Sequence, residues 1–542
     1  MASIGKKDLE IPQGKRTKLY RFFEILPGAL SYFLVILLFV LSWIHPVLGA
    51  IYLLILIAAT LVKAIGVAVR TVQGYKTMKR AEAVDWRARL KDLERPHENY
   101  EKLHGRRTEE YDFAQHLLNL KAMAAGVDEY PDPRELYHAV IMVAYNEGLA
   151  TLVPSVEAVR DSNFDPKRVI FVLGYEERGG AEMEKTAKEL QKKFAKTFKD
   201  FLLVKHPDGL KGEIKGKGPN LCYAAGELSK YLKREKIAAE NVVVTSLDSD
   251  NRVSPQYLSY VAYEFVVNRD RQHLSYQPIS LFMNNIWEAS APMRVIAVSN
   301  SFFNIIATMR PHILRNFASH SQPLAALQGM DYWSKRTIVE DGHQYWRSLF
   351  YFDGDYEVLP IRVPIYQDAV MSETLWGTLK AQFVQLRRWD YGASDVAYVG
   401  VRLFSKKRTM KFWPLFTKFV RLLDGHVMLA VMAPVVAFGG WVPMVMNLDS
   451  RYSVAFTLPG VVGIIQTIAM IGLIVTVLTS LRMLPPRPKK YTKMKSVLMV
   501  IQWILMPVVA IVYQSAAAFY SQTRLMLGKY MENFDVTKKV VK

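Results

Sequence analysis

The chain has 542 residues, of which 51% are apolar, and it carries a formal net charge of +20. This length indicates several units rather than one compact domain. The single cysteine, Cys222, excludes an intramolecular disulfide framework and a cysteine-rich metal site. The positive charge is typical of basic loops beside anionic lipid headgroups. Because the sequence contains no nucleic-acid-binding motif, nucleic acid is not an expected partner.

Apolar runs at both ends of the chain predict membrane-spanning helices. After a tail over 1–25, two runs over 26–69 are each long enough to cross a hydrocarbon core of about 30 Å. A cleaved signal peptide would have one short apolar core instead of two long ones in tandem. Three further runs lie at 427–446, 454–481 and 497–520. We therefore expect an integral membrane protein that contacts membrane lipids, most simply in the plasma membrane.

Basic segments predict the orientation of the chain. The N-terminal tail, the segment 70–80 after the second run and the loop 482–496 are all rich in Lys and Arg. Positively charged flanks remain in the cytosol, so the large polar region between the apolar runs is predicted to be cytosolic. Membrane segments are expected again over 425–522, followed by a basic tail over 523–542.

The polar region begins with a charged, helical pattern over 70–133, which predicts a solvated connector. An α/β domain is predicted over 134–400. Three apolar runs there, each ending in turn-forming or acidic residues, indicate buried parallel strands, and helical spacing separates them. This alternation predicts a mostly parallel sheet inserted between the transmembrane helices. Ligands bind outside the carboxyl ends of such strands.

Asp248 and Asp250 form an Asp-x-Asp pair directly after the third predicted strand, "VVVTSL". Two carboxylates at a strand end suit a hard divalent ion that also holds substrate phosphates. A solvated turn is the alternative interpretation. Asp353 and Asp355 have the same spacing, but no comparable strand precedes them, so the first pair is the candidate metal site.

Two further segments carry candidate chemistry. "KGKGPN" places Lys217 in a glycine-containing loop that opens a helix, where a lysine offsets phosphate charge; a plain surface turn is the alternative. "VED" places Glu340 and Asp341 before another predicted helix. One carboxylate there could accept a proton from an attacking hydroxyl, or it could simply cap the helix.

"QLRRW" (385–389) leaves two interpretations open: a membrane-edge anchor, or a site for phosphates and sugar. It lies within the predicted α/β domain, well before the third apolar run, which favours the site. Between them, residues 401–424 mix basic and aromatic residues at helical spacing and predict amphipathic interface helices, with a plain surface helix as the alternative.

Taken in order, YNE, the acids after the second strand, KGKGPN, DSD, VED and QLRRW resemble the motifs of the membrane-bound family 2 glycosyltransferases. This group includes the cellulose, chitin and hyaluronan synthases. The resemblance covers about 135–389 and extends to the flanking membrane segments. It implies a GT-A fold and inverting transfer of a sugar from a nucleotide diphosphate sugar, expected to be UDP-linked. The implied acceptor is a growing polysaccharide or a lipid-linked molecule, and the implied cofactor is Mg²⁺ or Mn²⁺.

The resemblance also implies roles for the residues at the strand ends. Tyr145, Asn146 and Glu147, after the first strand, would lie near the nucleotide. The family usually has an aspartate after the second strand, and here Glu176 or Glu177 stands in its place.

The remaining motifs supply the reacting groups by the same resemblance. Lys217 would face the diphosphate, Asp248 the nucleotide and the metal, and Asp250 the metal. The family's Thr-Glu-Asp is Val-Glu-Asp here, which keeps the base, Asp341, and loses only the hydroxyl. The family pattern Gln-x-x-Arg-Trp is matched by Gln385, Arg388 and Trp389.

General chemistry agrees with these roles. An inverting transfer needs one base for the acceptor hydroxyl and positive charge for the leaving diphosphate. Asp341 would supply the first, and a divalent ion with Lys217 and Arg388 the second. Retaining hydrolysis would instead need two carboxylates across the scissile bond, which leaves the DSD pair without a role.

The C-terminal tail matches the Phe-x-Val-Thr-x-Lys spacing of the cellulose synthase gating loop, which closes over the nucleotide. The matching residues are Phe534, Val536, Thr537 and Lys539. Five full crossings would put this tail outside, away from cytosolic nucleotide. We therefore expect one run, 497–520, to be re-entrant; the alternative is a chance match.

Two other functions remain open from the sequence. A single-addition lipid glycosyltransferase, similar to ceramide glucosyltransferase, has the same motifs. A non-catalytic membrane scaffold or transporter that retains a sugar-nucleotide-binding fold is the other alternative, although it would have no need of a base.

Overall fold

The computed structural model describes residues 9–126, 129–448 and 453–532. Two long helices come first: α1 (Lys18–Ile44) and α2 (Pro46–Glu82). The Thr17 hydroxyl accepts a hydrogen bond from the Tyr20 amide at 3.2 Å and caps α1, and Pro46 occupies the first turn of α2, where its missing amide proton is not needed. The gating-loop residues Phe534, Val536, Thr537 and Lys539 lie outside the described residues.

Helix α2 continues past the predicted end of the apolar run at 69. Its second half lies against the α/β domain, and a Cβ on Gly74 would come within 2.5 Å of the Ile305 side chain. The glycine therefore permits a close approach of α2 to that domain, so that one helix joins the first apolar segments to the α/β domain.

The connector contains α3 (Trp86–Asp92), α4 (Pro96–Leu103) and α5 (Phe113–Ala125). The charged pattern predicts a solvated connector, but the connector is not solvated on all sides. Trp86 is fully buried and stacks on Tyr260 with ring centroids 3.5 Å apart. The few apolar side chains of this segment lie on one face, and that face packs on the α/β domain.

The α/β domain contains eight strands and most of the shorter helices. In chain order they are β1 (Tyr137–Ala144), α6 (Leu149–Arg160), β2 (Val169–Glu176), α7 (Gly180–Phe194), β3 (Asp200–His206), α8 (Lys217–Arg234), β4 (Val242–Asp248), β5 (Arg252–Val253), α9 (Tyr257–Val267), β6 (Leu274–Leu281), α10 (Ala291–Thr308), β7 (Ser321–Pro323), α11 (Leu324–Gly329), α12 (Glu340–Tyr351), β8 (Glu357–Tyr366), α13 (Leu375–Asp390) and α14 (Asp395–Leu403).

These strands form one mixed sheet in the order β3-β2-β1-β4-β7-β6-β8-β5. Strands β3, β2, β1 and β4 are parallel to one another, and β6 is parallel to β8. The short strand β7 is antiparallel to β4 and β6, and the short strand β5 is antiparallel to β8. β1 and β2 are almost wholly buried, as expected where helices cover both faces. The predicted fold class, an α/β domain inserted between apolar helices, is confirmed.

The C-terminal part contains α15 (Phe412–Phe438), α16 (Val442–Val445), α17 (Ser453–Met483), α18 (Lys493–Ile501), α19 (Met506–Val509) and α20 (Ala516–Met526). Within the described ranges, four helical segments are long and apolar enough to cross a membrane: Lys18–Ile44, Pro46–Glu82, Phe412–Val445 and Lys493–Met526. Separate interface helices over 401–424 are not observed. The second half of that stretch belongs to α15, since the single Gly425 between its polar and apolar parts costs a helix only about 1 kcal/mol.

The last apolar segment is irregular, with a π-helical turn at Ala510–Ser515. Before it begins, Lys490 forms an ion pair with Glu288 of the α/β domain at 3.0 Å. After it ends, the Met531 amide donates a hydrogen bond to the Tyr391 hydroxyl at 3.2 Å. Both flanks of the segment therefore contact the α/β domain, and the re-entrant course of the segment stays a prediction.

The stacked Trp86 gives a direct test of how the connector is held. Trp86→Ala should lower the free energy of unfolding by about 3–5 kcal/mol because a large buried ring is lost. A thermal-shift measurement on detergent-solubilised protein should show a lower melting temperature. Trp376, which is 76% exposed, supplies the control: Trp376→Ala should change stability little, and equal effects of the two substitutions would contradict the packing described.

Candidate functional site

The carboxyl ends of the central parallel strands meet at one edge of the sheet. In the registers of these strands, Val143 of β1 pairs with Asp248 of β4, and Ala144 of β1 pairs with Tyr175 of β2. The residues that follow β1, β2 and β4 are therefore neighbours. They border a cavity of about 970 Å³.

Most of the predicted site residues line this one cavity. They are Tyr145, Asn146, Glu147, Glu176, Lys217, Asp248, Asp250, Asp341, Gln385, Arg388 and Trp389. They come from separate parts of the chain, so the fold brings together what the sequence spaces far apart. Glu177 is not among the cavity residues.

The turn after β1 is shaped by its own carboxylate. Glu147 accepts hydrogen bonds from the backbone amides of Tyr145 at 2.7 Å and Asn146 at 3.1 Å. This arrangement holds the turn open toward the cavity. The Arg178 guanidinium lies over the Tyr145 ring, 4.5 Å from its centroid, and fixes the orientation of the ring.

The two glutamates after β2 have different surroundings. Glu176 is buried, lines the cavity and accepts a hydrogen bond from Arg178 at 2.9 Å. Glu177 points toward β3, where it pairs with Lys205 at 3.4 Å and accepts a hydrogen bond from the Asp208 amide. Only Glu176 is therefore placed to contact a ligand in the cavity.

Lys217 occupies the first position of α8 and is the central cation of the site. Its Nζ lies 2.7 Å from Asp248 and 3.6 Å from Glu340. Burial disfavours the charged ammonium, but the attraction of Asp248, with a smaller contribution from Asp341, outweighs burial and raises the pKa of Lys217. The lysine is therefore fully protonated at neutral pH.

The two acids of VED differ in protonation and in access. Glu340 is 2% exposed, and burial, reinforced by the nearby charge of Asp341, raises its pKa to about 8. Glu340 is thus mainly protonated at neutral pH. Asp341 is only partly buried, lines the cavity and accepts a hydrogen bond from the Gly342 amide at 2.8 Å.

Asp248 and Asp250 both border the cavity, and Asp250 also accepts a hydrogen bond from the Asp368 amide at 2.9 Å. In the ranges that the structure describes, no group of three or more His, Cys, Asp or Glu side chains is placed to hold a metal ion. Mg²⁺ commonly binds one or two carboxylates together with substrate phosphates and water. Two carboxylates therefore fit a divalent ion that shares the phosphates of a bound nucleotide.

The QLRRW residues lie near the C-terminal end of α13. Some of them face the cavity, and Arg387 faces α20. Gln385, Arg388 and Trp389 line the cavity. Arg387 turns away and donates a hydrogen bond to the Tyr520 hydroxyl of α20 at 3.3 Å. The helix thus joins the cavity on one side to the last apolar segment on the other. The Trp389 ring is also 6.0 Å from Phe282.

The sequence patterns do not reveal several residues that share the cavity. Arg178, Arg315 and Asp390 line it, as do Gly425 and His426 of α15. Arg178 stands two residues after Glu176, so its charge gives a weak sequence signal. The others lie in segments whose approach to the cavity depends on the tertiary fold, and no local motif marks them.

No protein-family profile matches this chain, and no curated protein sequence matches it. Its structure is similar to the mannosyltransferase PcManGT from Pyrobaculum calidifontis in complex with GDP-Man and Mn²⁺, at 11% identity and a TM-score of 0.40, over 82% of this chain and 100% of that chain. It is also similar to S. aureus TarS 1-349 in complex with UDP, at 11% identity and a TM-score of 0.33, over 73% of this chain and 93% of that chain. These values are too low to transfer a residue role or a ligand to this chain.

The protonation of Glu340 predicts a pH dependence of stability. Its pKa rises from an ordinary 4.5 to about 8 in the folded protein, so folding favours the protonated acid. This contribution is complete at low pH and is lost as the pH rises through about 8, an effect on the order of a few kcal/mol. Melting temperatures from about pH 5 to about pH 9 should therefore fall for the wild type relative to Glu340→Gln. Parallel curves for the two proteins would contradict a raised pKa.

Proposed function

We propose that this protein is a membrane-bound inverting glycosyltransferase of the family 2 type, with a GT-A catalytic domain. It would transfer a sugar from a nucleotide diphosphate sugar, expected to be UDP-linked, to an acceptor at the cytosolic face of the plasma membrane. One observation carries the proposal. A lysine that is only 10% exposed and pairs with a strand-end aspartate borders the same cavity as an accessible aspartate and the arginine and tryptophan of QLRRW.

The nucleotide would bind at the ends of β1 and β2. Tyr145 and Asn146 provide an aromatic face and an amide there, and Glu147 shapes their turn. Glu176, held by Arg178, offers a carboxylate to the base of the nucleotide. A carboxylate accepts hydrogen bonds from N–H donors, which are present on the edge of a uracil or guanine.

The diphosphate would lie between Lys217 and Arg388. Lys217 is charged, buried and already aligned by Asp248. Preorganised cations in a water-poor site stabilise developing negative charge more effectively than cations in bulk water. Asp248 and Asp250 would hold Mg²⁺ or Mn²⁺, which supplies further positive charge to the phosphates when bound.

Asp341 would act as the general base. The acceptor hydroxyl oxygen forms a bond to the anomeric carbon, its proton moves to Asp341, and the bond from that carbon to the diphosphate oxygen breaks with its electron pair on the leaving group. Glu340 is unsuitable because it is buried and mainly protonated at neutral pH. Its place is beside Lys217, where it stays neutral and leaves the lysine charge available to the diphosphate.

Asp341→Asn tests the assignment of the base. Purified full-length protein with a panel of nucleotide sugars and Mn²⁺ should release nucleoside diphosphate, and the substitution should lower this rate roughly 100-fold or more, since general base catalysis contributes at least about that much. Nucleotide binding should remain, because Asp341 contacts the acceptor and not the nucleotide.

Asp355→Asn is the matched control, because Asp355 is an exposed aspartate that pairs with His273 outside the cavity. It should leave turnover unchanged. Binding of nucleotide without turnover for every donor would overturn the enzyme and favour the non-catalytic scaffold.

The two neighbouring glutamates predict different effects on the donor. Glu176→Gln should weaken nucleoside diphosphate binding about tenfold, since hydrogen bonds to charged groups contribute on the order of 1.5–3 kcal/mol. Glu177→Gln should leave binding unchanged, because Glu177 pairs with Lys205 outside the cavity. Calorimetric titration of both variants measures the difference, and a larger effect at Glu177 would contradict the assignment.

A further inference from the structure

The cavity extends beyond the proposed donor site toward the membrane helices. This second part, here called the acceptor chamber, is lined by Asn300, Phe303, Asn304, Arg315, Gly425 and His426. The first three belong to α10 and the last two to α15, a helix long and apolar enough to cross a membrane. Leu429 of α15 and Gln514 of the π-helical turn also border it.

Arg315 is the cation of the acceptor chamber. In the described part of the chain it forms no ion pair, although it lines the cavity and is only partly exposed. The nearest influential carboxylate, Asp395, is engaged with His343 Nδ1 at 2.6 Å. The guanidinium lies over the Trp346 ring, 5.8 Å from its centroid, and burial lowers the pKa of Arg315 more than Asp395 raises it, so the charge lacks full compensation. An anion in the chamber would supply it.

A further arginine, Arg310, precedes Arg315 in the same segment between α10 and β7. Arg310 lies close enough to Arg70 of α2 and Arg421 of α15 for their charges, together with burial, to lower its pKa. Within the described residues these three arginines form no ion pairs. The charges of Arg70 and Arg421 thus act on Arg310 from two other parts of the chain, an arrangement that favours an anionic group nearby.

The walls of the acceptor chamber are partly apolar. Phe303 and Leu429 line it, and they remain 54% and 37% exposed. Large exposed apolar side chains beside a cavity mark a surface that binds another apolar group. A soluble glycan would gain little from such walls, whereas a lipid chain would bury them.

We propose that the acceptor chamber binds a lipid-linked sugar whose phosphate or diphosphate lies against Arg315 and whose lipid chain lies between α10 and α15. The proposal rests on the proposed function and names its acceptor class. The reaction is the one given above. A hydroxyl of the lipid-linked sugar attacks the anomeric carbon and gives its proton to Asp341, while the lipid phosphate keeps all its bonds and is only held.

A growing polysaccharide without a lipid anchor fits the acceptor chamber less well. Such a polymer is neutral or carries carboxylates, and it needs polar walls along its whole path. The uncompensated Arg315 and the apolar Phe303 and Leu429 are both explained by one ligand that combines a phosphate with a hydrocarbon chain. The same phosphate chemistry is available from ordinary anionic membrane lipids, so the test must separate the two sources.

The test uses full-length protein in phosphatidylcholine nanodiscs, with farnesyl phosphate as the probe and farnesol as its neutral counterpart. Farnesyl phosphate should bind more tightly than farnesol, and Arg315→Gln should weaken its binding at least about tenfold without changing farnesol binding. Arg315→Lys should retain part of the affinity because it keeps the charge. Arg234→Gln, at an exposed arginine of α8, is the control and should have no effect.

Two further variants keep the proposal testable if Arg315→Gln does not fold. A Cβ on Gly425 meets open space, so Gly425→Phe should fit the helix, extend into the chamber and abolish probe binding. Lys217→Met removes the cation of the donor site and should leave farnesyl phosphate binding unchanged. If Lys217→Met instead abolishes it, the probe binds at the donor site and the acceptor proposal is overturned.

The source of the phosphate is tested by competition. Phosphatidylglycerol should displace farnesyl phosphate poorly, whereas equal displacement would mean a site for bulk lipid headgroups and would overturn the proposal. Unaltered affinity in both Arg315→Gln and Gly425→Phe would overturn it as well. Nucleoside diphosphate release from the donor panel, measured on the wild-type protein, separates the two levels, because a wrong acceptor class leaves release with another acceptor intact, whereas a wrong overall function gives no release with any donor or acceptor.

Discussion

The site depends on one buried ammonium group. The Lys217 side chain at the start of α8 is only 10% exposed to solvent. It stays charged because Asp248 lies 2.7 Å away and further acids are near. A charge buried in this way needs compensation at all times. A diphosphate brought to the same place would share the lysine with Asp248. In the proposed reaction this arrangement would supply positive charge without reorganisation as the leaving group develops negative charge.

The cost of burying a charge also explains why the neighbouring acids Glu340 and Asp341 differ in protonation. Glu340 stands inside the domain next to Lys217 and is mainly neutral at neutral pH, while Asp341 faces the cavity. One residue thus adjusts the electrostatics and the next one is available for proton transfer. Arg315 in the proposed acceptor chamber would be the counterpart: the proposed donor site has its carboxylates built in, whereas the chamber would receive its anion from the ligand.

Much of this organisation could be predicted from the sequence, because it follows from local patterns. Apolar runs that end in acids predict buried parallel strands, and parallel strands deliver their carboxyl ends to one edge. Asp248 and the residues after the first two strands could therefore be predicted to lie at one edge, whereas Lys217 is joined to them only by the family resemblance. The expectation that the last apolar segment is re-entrant comes from a conflict between charge and topology in the sequence, and it stays a prediction.

Other features depend on packing that no local pattern contains. The choice between Glu176 and Glu177 depends on whether a side chain turns toward the cavity or toward β3. The burial of Trp86 depends on the complementary ring of Tyr260. Arg315 lies in an irregular segment after α10, and only the approach of α15 makes it part of a chamber.

The central claim is that a nucleoside diphosphate binds at Lys217 and leaves the acceptor chamber free. A cryo-electron microscopy map of the full-length protein with UDP and Mn²⁺ tests it most directly. The account predicts density for the diphosphate between Lys217 and Arg388, with the metal beside Asp248 and Asp250. Nucleotide density in the acceptor chamber against Arg315, or outside the cavity, would contradict it.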